Sequence, residues 1–479
     1  MPTFHIEQFG CRATHADGAA LEHQLRQRGY ASASREVAEI VVVNTCTVTA
    51  AADAQARDAI RKITAQNPAA RVIVTGCYAQ RAPEEIAALP GVAWVVGNSH
   101  RTELPAIIGK LPRTSSGDFI SAAALQLAPP ANILRGPFDI GPLLSAPLLG
   151  GEAQHTRPTL KIQDGCNSRC SYCVIPFVRG RSRSLPPPSV LQQIQQLTAS
   201  GTREIVLSGI NLGTYGKDLT PRTHFEDLLR RILGETSLER LRTSSIEPMD
   251  VTADLIHFFA ANHRMAQHFH MPLQSGCDRI LAAMHRWYRA EHYARRVQLI
   301  REHLPHAAIG ADVIAGFPGE SEEEHSSTVA FIENLPLTYL HVFSFSNRPG
   351  TAAANLTSEL PAAVIKRRAR ELRALGEKKS AAFRLSQVGQ EMRVLTLRTN
   401  DSLDIRSKTS QLDNSSNPEP EAVSSTREKT HTPALSSNYL RVQVPGKFRA
   451  NQWLNVRFVD MLQNQLVAEI AEPSLLKNP

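Results

Sequence analysis

The chain has 479 residues, of which 42% are hydrophobic and 20% charged, which implies several domains with their own cores and excludes a fibrous or wholly disordered protein. It has no run of eighteen apolar residues and no signal-peptide pattern at its start, which excludes a membrane-spanning helix and favours a cytoplasmic protein. Lys and Arg total 53 against 45 Asp and Glu, and the net charge of +8 favours a polyanionic partner.

Residues 1–110 alternate short apolar runs with amphipathic stretches. The runs 40–43 and 72–74 are rich in β-branched residues, and the stretch 51–66 between them has helical periodicity. This order predicts an N-terminal α/β domain built on parallel strands. Residues 111–152 are rich in Pro, Ser, Ala and Gly, and we interpret them as a linker.

Residues 153–382 resume the alternation of strands and helices. Strands are predicted at 159–163, 204–208, 241–244, 268–272, 309–314 and 339–344. Helical patterns separate most of them, at 188–200, 250–261 and 291–303. About six βα units in one segment predict a full or partial parallel barrel, in which the C-terminal ends of the strands carry the active site.

Residues 383–474 are predicted to form a small all-β domain after a basic helix at 362–383. Its strands are predicted at 392–397, 439–444, 453–458 and 465–470. The stretch from about 400 to 436 is rich in Ser, Thr, Asn, Pro and Glu, and we interpret it as a disordered insert.

Three of the seven cysteines, Cys166, Cys170 and Cys173, lie close together in the sequence. Without a secretory signal, an odd number of cysteines favours metal binding or catalysis over disulfides. The three follow a predicted barrel strand, and three thiolates on a four-iron cluster leave one iron open for a substrate or cofactor. Structural zinc is the alternative, although zinc usually takes four protein ligands and no fourth Cys or His lies close by.

The second cysteine set, Cys11, Cys46 and Cys77, is spread over the N-terminal domain. Cys46 and Cys77 each follow a predicted parallel strand, and Cys11 follows the short run 4–9. Adjacent parallel strands would bring all three to one edge of a sheet, where open α/β sheets bind ligands. Three buried free thiols are the alternative. Cys277 is left over, and we interpret it as a small residue near the pocket.

The spacing CxxxCxxC at residues 166–173 resembles the signature of the radical S-adenosylmethionine superfamily, in which the open iron holds the cofactor. The stretches 208–211, 244–247 and 314–320 also resemble that superfamily and occur in the order that a barrel requires. Each is ordinary turn chemistry when taken alone. The resemblance implies six cofactor-binding residues: Tyr172, Gly209, Asn211, Glu247, Gln274 and Gly316.

The order of N-terminal cysteines, CxxxCxxC barrel and C-terminal β domain resembles the methylthiotransferases of that superfamily. Residues 439–446 are similar to a TRAM domain, a small RNA-binding β-barrel. The resemblance implies two 4Fe-4S clusters, with S-adenosylmethionine as both methyl donor and radical source. Their implied ligands are two cysteine sets: Cys11, Cys46 and Cys77 for one cluster, and Cys166, Cys170 and Cys173 for the other.

The stretches 43–49, 74–80 and 274–278 resemble the branch of this family that acts on threonylcarbamoyladenosine in tRNA. Around Cys11 the chain departs from that branch, because Arg-Ala-Thr-His at residues 12–15 stands where Lys-Val-Asn-Gln is common. The branches that act on isopentenyladenosine in tRNA or on a ribosomal-protein aspartate are alternatives. A non-catalytic, metal-stabilised RNA-binding protein is a further alternative.

The implied reaction installs a methylthio group at carbon 2 of threonylcarbamoyladenosine, next to the anticodon at tRNA position 37. One cluster would generate the radical that takes hydrogen from carbon 2, while the other would hold the sulfur. Such an enzyme needs an external electron donor and a sulfur donor, and the base must leave its stack to enter the barrel. Five basic residues are predicted to contact RNA: Arg179, Arg181, Arg183, Arg441 and Lys447.

Overall fold

The computed structural model describes residues 1–110, 131–138, 156–398, 431–462 and 465–471. The N-terminal domain is built on six parallel strands: β1 Thr3–Gln8, β2 Ala31–Ser32, β3 Ile40–Thr45, β4 Arg71–Gly76, β5 Val92–Gly97 and β6 Asn132–Leu134. They lie in the order β2-β1-β3-β4-β5-β6. The predicted strands 40–43 and 72–74 are confirmed as β3 and β4, which are neighbours in the sheet.

Helices cover both faces of this sheet: α1 Arg12–Gln27, α2 Ala50–Gln66, α3 Cys77–Arg81, α4 Pro83–Ala87 and α5 Leu104–Lys110. Successive residues of β3 enter opposite cores, because side chains alternate along a strand. Val42 shares a core with Leu25 of α1, whereas Val41 and Val43 share a core with Ile60 of α2. A strand buried on both faces explains the unbroken β-branched run in the sequence.

The sixth strand, β6, lies within the predicted linker. Residues 132–134 pair with β5 and extend the sheet by one edge strand, so the linker prediction is wrong for these residues. A three-residue strand is too short to show periodicity, and the unpaired edge of β5 supplies its hydrogen bonds. Residues 111–130 and 139–152 of the predicted linker lie outside the described residues.

The central domain is a partial parallel (β/α) barrel, as predicted. Its strands are β7 Thr159–Lys161, β8 Gln163–Asp164, β9 Arg183–Ser184, β10 Glu204–Ser208, β11 Arg240–Thr243, β12 His268–His270, β13 Ala308–Ala315 and β14 Tyr339–Ser344. Six of these form two parallel sheets, in the orders β11-β10-β7 and β12-β13-β14, whereas β8 and β9 make a short antiparallel pair. Each of the six predicted strand segments corresponds to an observed parallel strand.

The helices of the central domain are α6 Ile175–Arg179, α7 Pro187–Ala199, α8 Phe225–Glu235, α9 Ala253–Ala261, α10 Asp278–Ala283, α11 Ala290–His303, α12 Glu322–Asn334 and α13 Ala362–Ser386. In β13, Ile309 and Val313 belong to the apolar core under the helices, so Gly310 and Asp312 face the barrel interior. A Cβ at Gly310 would overlap the ring of Tyr339 on β14, so glycine makes room for that ring.

The C-terminal domain is a closed five-stranded barrel in the order β15-β16-β17-β19-β18, which confirms the predicted all-β class. The strands are β15 Glu391–Thr396, β16 His431–Ser436, β17 Arg441–Pro445, β18 Trp453–Leu462 and β19 Gln465–Ile470. Strand β16 lies in the predicted insert, so the prediction is wrong for residues 431–436. Antiparallel pairing on both sides holds this strand despite its polar composition. Residues 399–430 lie outside the described residues.

The C-terminal domain packs against the N-terminal ends of the barrel strands through a buried arginine. Arg242 of β11 donates hydrogen bonds to the backbone oxygens of Ser436 and Ser437, at 3.1 and 3.0 Å. Its Nε donates to Glu204 of β10 at 2.8 Å, which leaves the buried charge compensated. Within the described ranges, no helix is long and apolar enough to span a membrane.

Candidate active site

The first candidate centre is the cysteine loop, residues 166–173, between β8 and α6 at the C-terminal end of the barrel. Backbone hydrogen bonds hold the loop from both sides. Cys166 N donates to Gly180 O at 3.1 Å, and Ser171 N donates to Met284 O at 3.0 Å. The barrel therefore presents the three thiols of this loop at the end where parallel barrels carry active sites.

Arg286 connects one of these thiols to a carboxylate. Its Nη1 donates to Cys170 Sγ at 3.2 Å, and its Nη2 pairs with Glu247 Oε2. Burial raises the pKa of Glu247 and of Cys170, and the Arg286 guanidinium opposes both shifts. Arg286 was not predicted as a site residue, because it lies 116 residues from Cys170 and belongs to no short motif.

The second candidate centre lies at the C-terminal edge of the N-terminal sheet. Cys11, Cys46 and Cys77 follow β1, β3 and β4, which are adjacent strands, as the sequence predicts. Gly10 has a φ of +99°, and a Cβ on it would approach Cys46 Sγ to 2.8 Å. Cys46 and Cys77 are buried and Cys11 is exposed.

Each centre contains a thiol whose pKa is strongly raised by burial. Burial raises the pKa of Cys46 to about 12, with the neighbouring Cys11 and Cys77 adding to the shift, and burial also raises the pKa of Cys173 to about 12. Such thiols stay protonated at neutral pH unless positive charge stabilises the thiolate. Metal binding supplies that charge, so the donor sets fit an iron–sulfur cluster.

The sulfur atoms of each set are more widely spaced than the ligands of a single zinc ion. In the described part of the chain, neither cysteine set has its three sulfur atoms all within 4.8 Å of one another. The thiolate ligands of one tetrahedral zinc, at Zn–S distances of about 2.3 Å, would lie about 3.8 Å apart. A four-iron cluster places each ligand on a different iron and so suits the wider spacing.

The two centres lie on opposite sides of one domain interface. Cys77 packs against Val174 and Val178. Val174 directly precedes the helix that follows Cys173, and Val178 lies within it. Asn98 links the same two parts, because its Nδ2 lies 3.5 Å from Cys77 Sγ and donates to Val178 O at 2.7 Å. The helix after the cysteine loop is therefore in contact with the second centre.

A buried ion-pair network joins the two domains beside these thiols. Asp17 of α1 pairs with Lys161 of β7, with Arg179 of α6 and with Arg101. Asp164 pairs with Lys161 at 3.0 Å and with Arg179 at 2.9 Å. Burial opposes ionisation of both carboxyls, but the neighbouring cations outweigh it and hold their pKa below the usual range.

Arg179 belongs to this network, so the prediction that it contacts RNA is wrong. The side chain is 1% exposed, because the two buried carboxylates bind it inside the interface. Its Nη2 also donates to Thr14 Oγ1 at 3.3 Å, and this hydroxyl lies 3.5 Å from Cys11 Sγ. Arg179 therefore links the helix after the cysteine loop to the second centre.

A further ion pair holds the interface near Cys46. Arg348, which follows β14, donates from Nη1 to Asp53 Oδ2 at 2.6 Å. Asp53 also accepts a hydrogen bond from Thr47 Oγ1 at 2.6 Å, and Thr47 is the neighbour of Cys46. The barrel thus contacts the N-terminal domain through two separate sets of buried charges.

The predicted cofactor-binding residues lie after successive barrel strands. Gly209 and Asn211 follow β10, Glu247 follows β11, Gln274 follows β12 and Gly316 follows β13. These strand ends share the end of the barrel that carries the cysteine loop. The structure thus places these residues at the predicted end, and their contacts with a cofactor stay predictions.

Two polar atoms at these strand ends are available to a ligand. Asn211 Oδ1 and Ser244 Oγ are buried, and the described residues offer neither of them a hydrogen-bond partner. By contrast, the Gly316 backbone N–H donates to Glu320 Oε2 at 3.2 Å. Tyr172 packs against an apolar cluster that contains Phe317, and its contact with a cofactor stays a prediction.

The other predicted RNA contacts occupy two regions. Arg181 is exposed and Arg183 half-buried after the cysteine loop, while Lys447 is exposed and Arg441 half-buried in the C-terminal domain. Their role in RNA binding stays a prediction.

The barrel interior also contains a polar group that was not predicted from the sequence. Asp312 lies 2.8 Å from His270 Nε2 and 3.2 Å from His341 Nδ1, and Tyr339 Oη lies 2.9 Å from His270 Nδ1. Burial opposes ionisation of Asp312, but the two imidazoles outweigh it and lower its pKa. Alternation along β12, β13 and β14 was the signal that would have placed these side chains on the inner face.

Two family profiles match separate parts of the chain. The profile described as Uncharacterized protein family UPF0004 matches residues 3–97, and the profile described as Radical SAM superfamily matches residues 160–332. The first range contains Cys11, Cys46 and Cys77, and the second contains the cysteine loop.

Curated relatives cover most of the chain. A threonylcarbamoyladenosine tRNA methylthiotransferase of Aquifex aeolicus is 37% identical over 82% of this chain and 93% of its own length. A tRNA-2-methylthio-N(6)-dimethylallyladenosine synthase of Paenarthrobacter aurescens is 33% identical over 82% of this chain and 74% of its own length. Both alignments are longer than either family profile.

A solved structure shares the fold at low identity. The radical S-adenosylmethionine methyltransferase of Kitasatospora setae, with cobalamin and a 4Fe-4S cluster bound, matches with a TM-score of 0.52 and 17% identity. The match covers 74% of this chain and 77% of that chain, and it shows a similar fold.

Proposed function

The chain belongs to the methylthiotransferase family of radical S-adenosylmethionine enzymes, and from this premise we propose that it installs a methylthio group at carbon 2 of threonylcarbamoyladenosine in tRNA. The observation that carries the proposal is the pair of three-thiol centres on opposite sides of one interface. Joining an activated carbon to sulfur is faster when the group that activates the carbon and the group that holds the sulfur lie close together. The enzyme uses S-adenosylmethionine and 4Fe-4S clusters.

In this proposal each thiol set holds one cluster. Cys166, Cys170 and Cys173 bind the cluster that carries S-adenosylmethionine, and Cys11, Cys46 and Cys77 bind the cluster that serves sulfur transfer. When bound, these groups supply the radical and the sulfur chemistry. Three protein ligands for each cluster leave one coordination position for a non-protein ligand.

Residues of the chain itself would bind the cofactor, orient a cluster ligand and exclude water from the site. Asn211 and Ser244 offer buried polar atoms to the cofactor, and Tyr172 offers an apolar wall that excludes water. Arg286 orients Cys170 and neutralises part of the negative charge of a thiolate ligand. The ion pairs of Asp17 fix the distance between the two thiol sets.

The substrate and the accessory partners follow from this chemistry. A tRNA is a polyanion, which agrees with the net charge of +8. An external electron donor and a sulfur donor are required, because the chain contributes neither reducing equivalents nor sulfur that is renewed after each turnover. The relative with the threonylcarbamoyl substrate is more similar to this chain than the relative with the dimethylallyl substrate, which supports the choice of base.

The test is mass spectrometry of nucleosides from bulk tRNA of a deletion strain and its parent. We expect the methylthio form of threonylcarbamoyladenosine to disappear and its unthiolated precursor to rise. Complementation with Cys170→Ala or with Cys46→Ala should leave the product absent. With the purified proteins, Cys170→Ala should lose reductive cleavage of S-adenosylmethionine, whereas Cys46→Ala should retain it.

Cys277→Ala is the matched control, because this cysteine belongs to neither set, and it should restore the nucleoside. Loss of the dimethylallyl derivative instead would move the chain to the other tRNA branch. If neither nucleoside changes in the deletion strain, the tRNA proposal is wrong. If Cys46→Ala restores the product, the assignment of the N-terminal cysteines is wrong.

A further inference from the structure

Trp287 is an unusual residue of the barrel surface because 84% of it is exposed to solvent. It lies in the turn between α10 and α11, and both its neighbours are anchored. Arg286 pairs with Glu247, and Tyr288 Oη donates to two backbone oxygens, of Pro272 and Leu273, each at 2.8 Å. The indole is therefore held in water by a fixed backbone.

The turn that carries Trp287 packs directly against the cysteine loop. His285 Nδ1 lies 3.1 Å from Arg169 O, and Ser171 Oγ donates to Ala283 O at 2.8 Å. Together with the contact of Arg286 on the loop, these bonds fix Trp287 beside the proposed active centre.

A second exposed aromatic residue follows the cysteine loop in the sequence. Phe177, on the helix that follows Cys173, is 60% exposed. Its neighbour Val178 is buried against Cys77, so the domain interface anchors the helix that carries Phe177. We name Phe177 and Trp287 the aromatic rim.

The surroundings of the aromatic rim are cationic. Arg169 of the loop, Arg181 after it and Arg289 beside Trp287 are exposed. None of these three forms an ion pair within the part of the chain that the structure describes. Aromatic rings with uncompensated cations suit a single-stranded nucleic acid, whose bases stack while its phosphates meet the charges.

We infer that Trp287 is a stacking platform for an unpaired base of the tRNA anticodon loop, with Phe177 flanking the same strand. The inference rests on the proposed function and names a contact surface for its substrate. A flipped target base leaves its neighbours unstacked, and an aromatic ring at the entrance gives one of them a new partner. An apolar protein partner would not require the three exposed arginines, so RNA is the occupant that the charges favour.

The test is a binding titration of the holoenzyme with a fluorescent anticodon stem-loop, followed by anisotropy. Loss of one stacked base reduces affinity by about tenfold, so Trp287→Ala should raise Kd by about that factor. Trp287→Phe retains a ring and should remain close to the parent. Val37→Ala is the control. Val37 is also exposed, at 71%, but it lies before β3, at the opposite end of that strand from Cys46 and the proposed site.

A duplex RNA of equal charge separates stacking from simple charge attraction. Parent and Trp287→Ala should bind the duplex equally, because its bases are already stacked. The inference is overturned if Trp287→Ala binds the stem-loop within twofold of the parent, or if the Phe variant loses as much as the Ala variant. If the parent itself does not bind the stem-loop, the proposed function fails rather than the stacking contact alone.

Discussion

Replacing Asp17 by Ala should loosen the interface between the N-terminal domain and the barrel. The carboxylate is 1% exposed and faces Lys161, Arg179 and Arg101. Without it, three buried cations would share one carboxylate, that of Asp164. Removing one partner from a buried ion pair costs about 3–5 kcal/mol. That is a large part of the roughly 5–15 kcal/mol by which folded domains are stable.

The measurement is thermal unfolding of the purified protein under anaerobic conditions. In a domain of this size each 1 kcal/mol lowers Tm by about 2–4 °C, so Asp17→Ala should melt about 10 °C below the parent. Glu226→Ala is the matched control, because it breaks an exposed pair with Arg230, worth about 0.5 kcal/mol or less. If the Asp17 and Glu226 variants melt within 1 °C of each other, the buried network does not hold the interface.

Three other outcomes are expected. Glu204 has its pKa lowered from 4.5 to about 2 because buried arginines outweigh its burial, so its stabilisation is present above pH 4.5 and is lost as pH falls toward 2. The urea midpoint of unfolding should therefore fall less between pH 7 and pH 3 in Glu204→Gln than in the parent. An equal fall of the midpoint in both proteins would contradict this. In Gly10→Ala, the new side chain would be strained at a φ of +99° and would overlap Cys46. This should disturb one of the two proposed clusters and lower bound iron by about half, as measured by chemical iron analysis. Gly310→Ala should lower Tm through overlap with Tyr339, and the double variant with Tyr339→Ala should lose less than the sum of the two single losses, since the ring no longer meets the new methyl group.

Much of the fold could be predicted because its elements have strong local periods. Strands β3 and β4 are unbroken β-branched runs, and the barrel strands are separated by regular helical patterns. Strand β6 could not be predicted in the same way, because three residues carry no period and the strand depends on the edge of β5. Strand β16 was hidden by its Ser, Thr and Pro content, which its two neighbours in the closed barrel override.

The candidate site was predictable where its residues are close in sequence or follow strands. The cysteine loop is a local motif, and the N-terminal cysteines follow from the rule that parallel strands end at one edge. The role of Arg179 was not predictable, because its partner Asp17 lies 162 residues away. A basic residue near an active loop has the same sequence signal whether it binds phosphate or closes a buried ion pair.

The cysteines of one thiol set are close in the sequence and those of the other are far apart, and this difference affects the order in which the two metal sites can form. The cysteine loop spans one short stretch, so its thiols stay near one another even in an unfolded chain. The N-terminal thiols meet only when β1, β3 and β4 have paired, and Gly10 reaches Cys46 only in that arrangement. Under the proposed assignment of the clusters, the cysteine loop could therefore receive iron early in biogenesis, whereas the N-terminal thiols form a metal site only when the N-terminal sheet is complete.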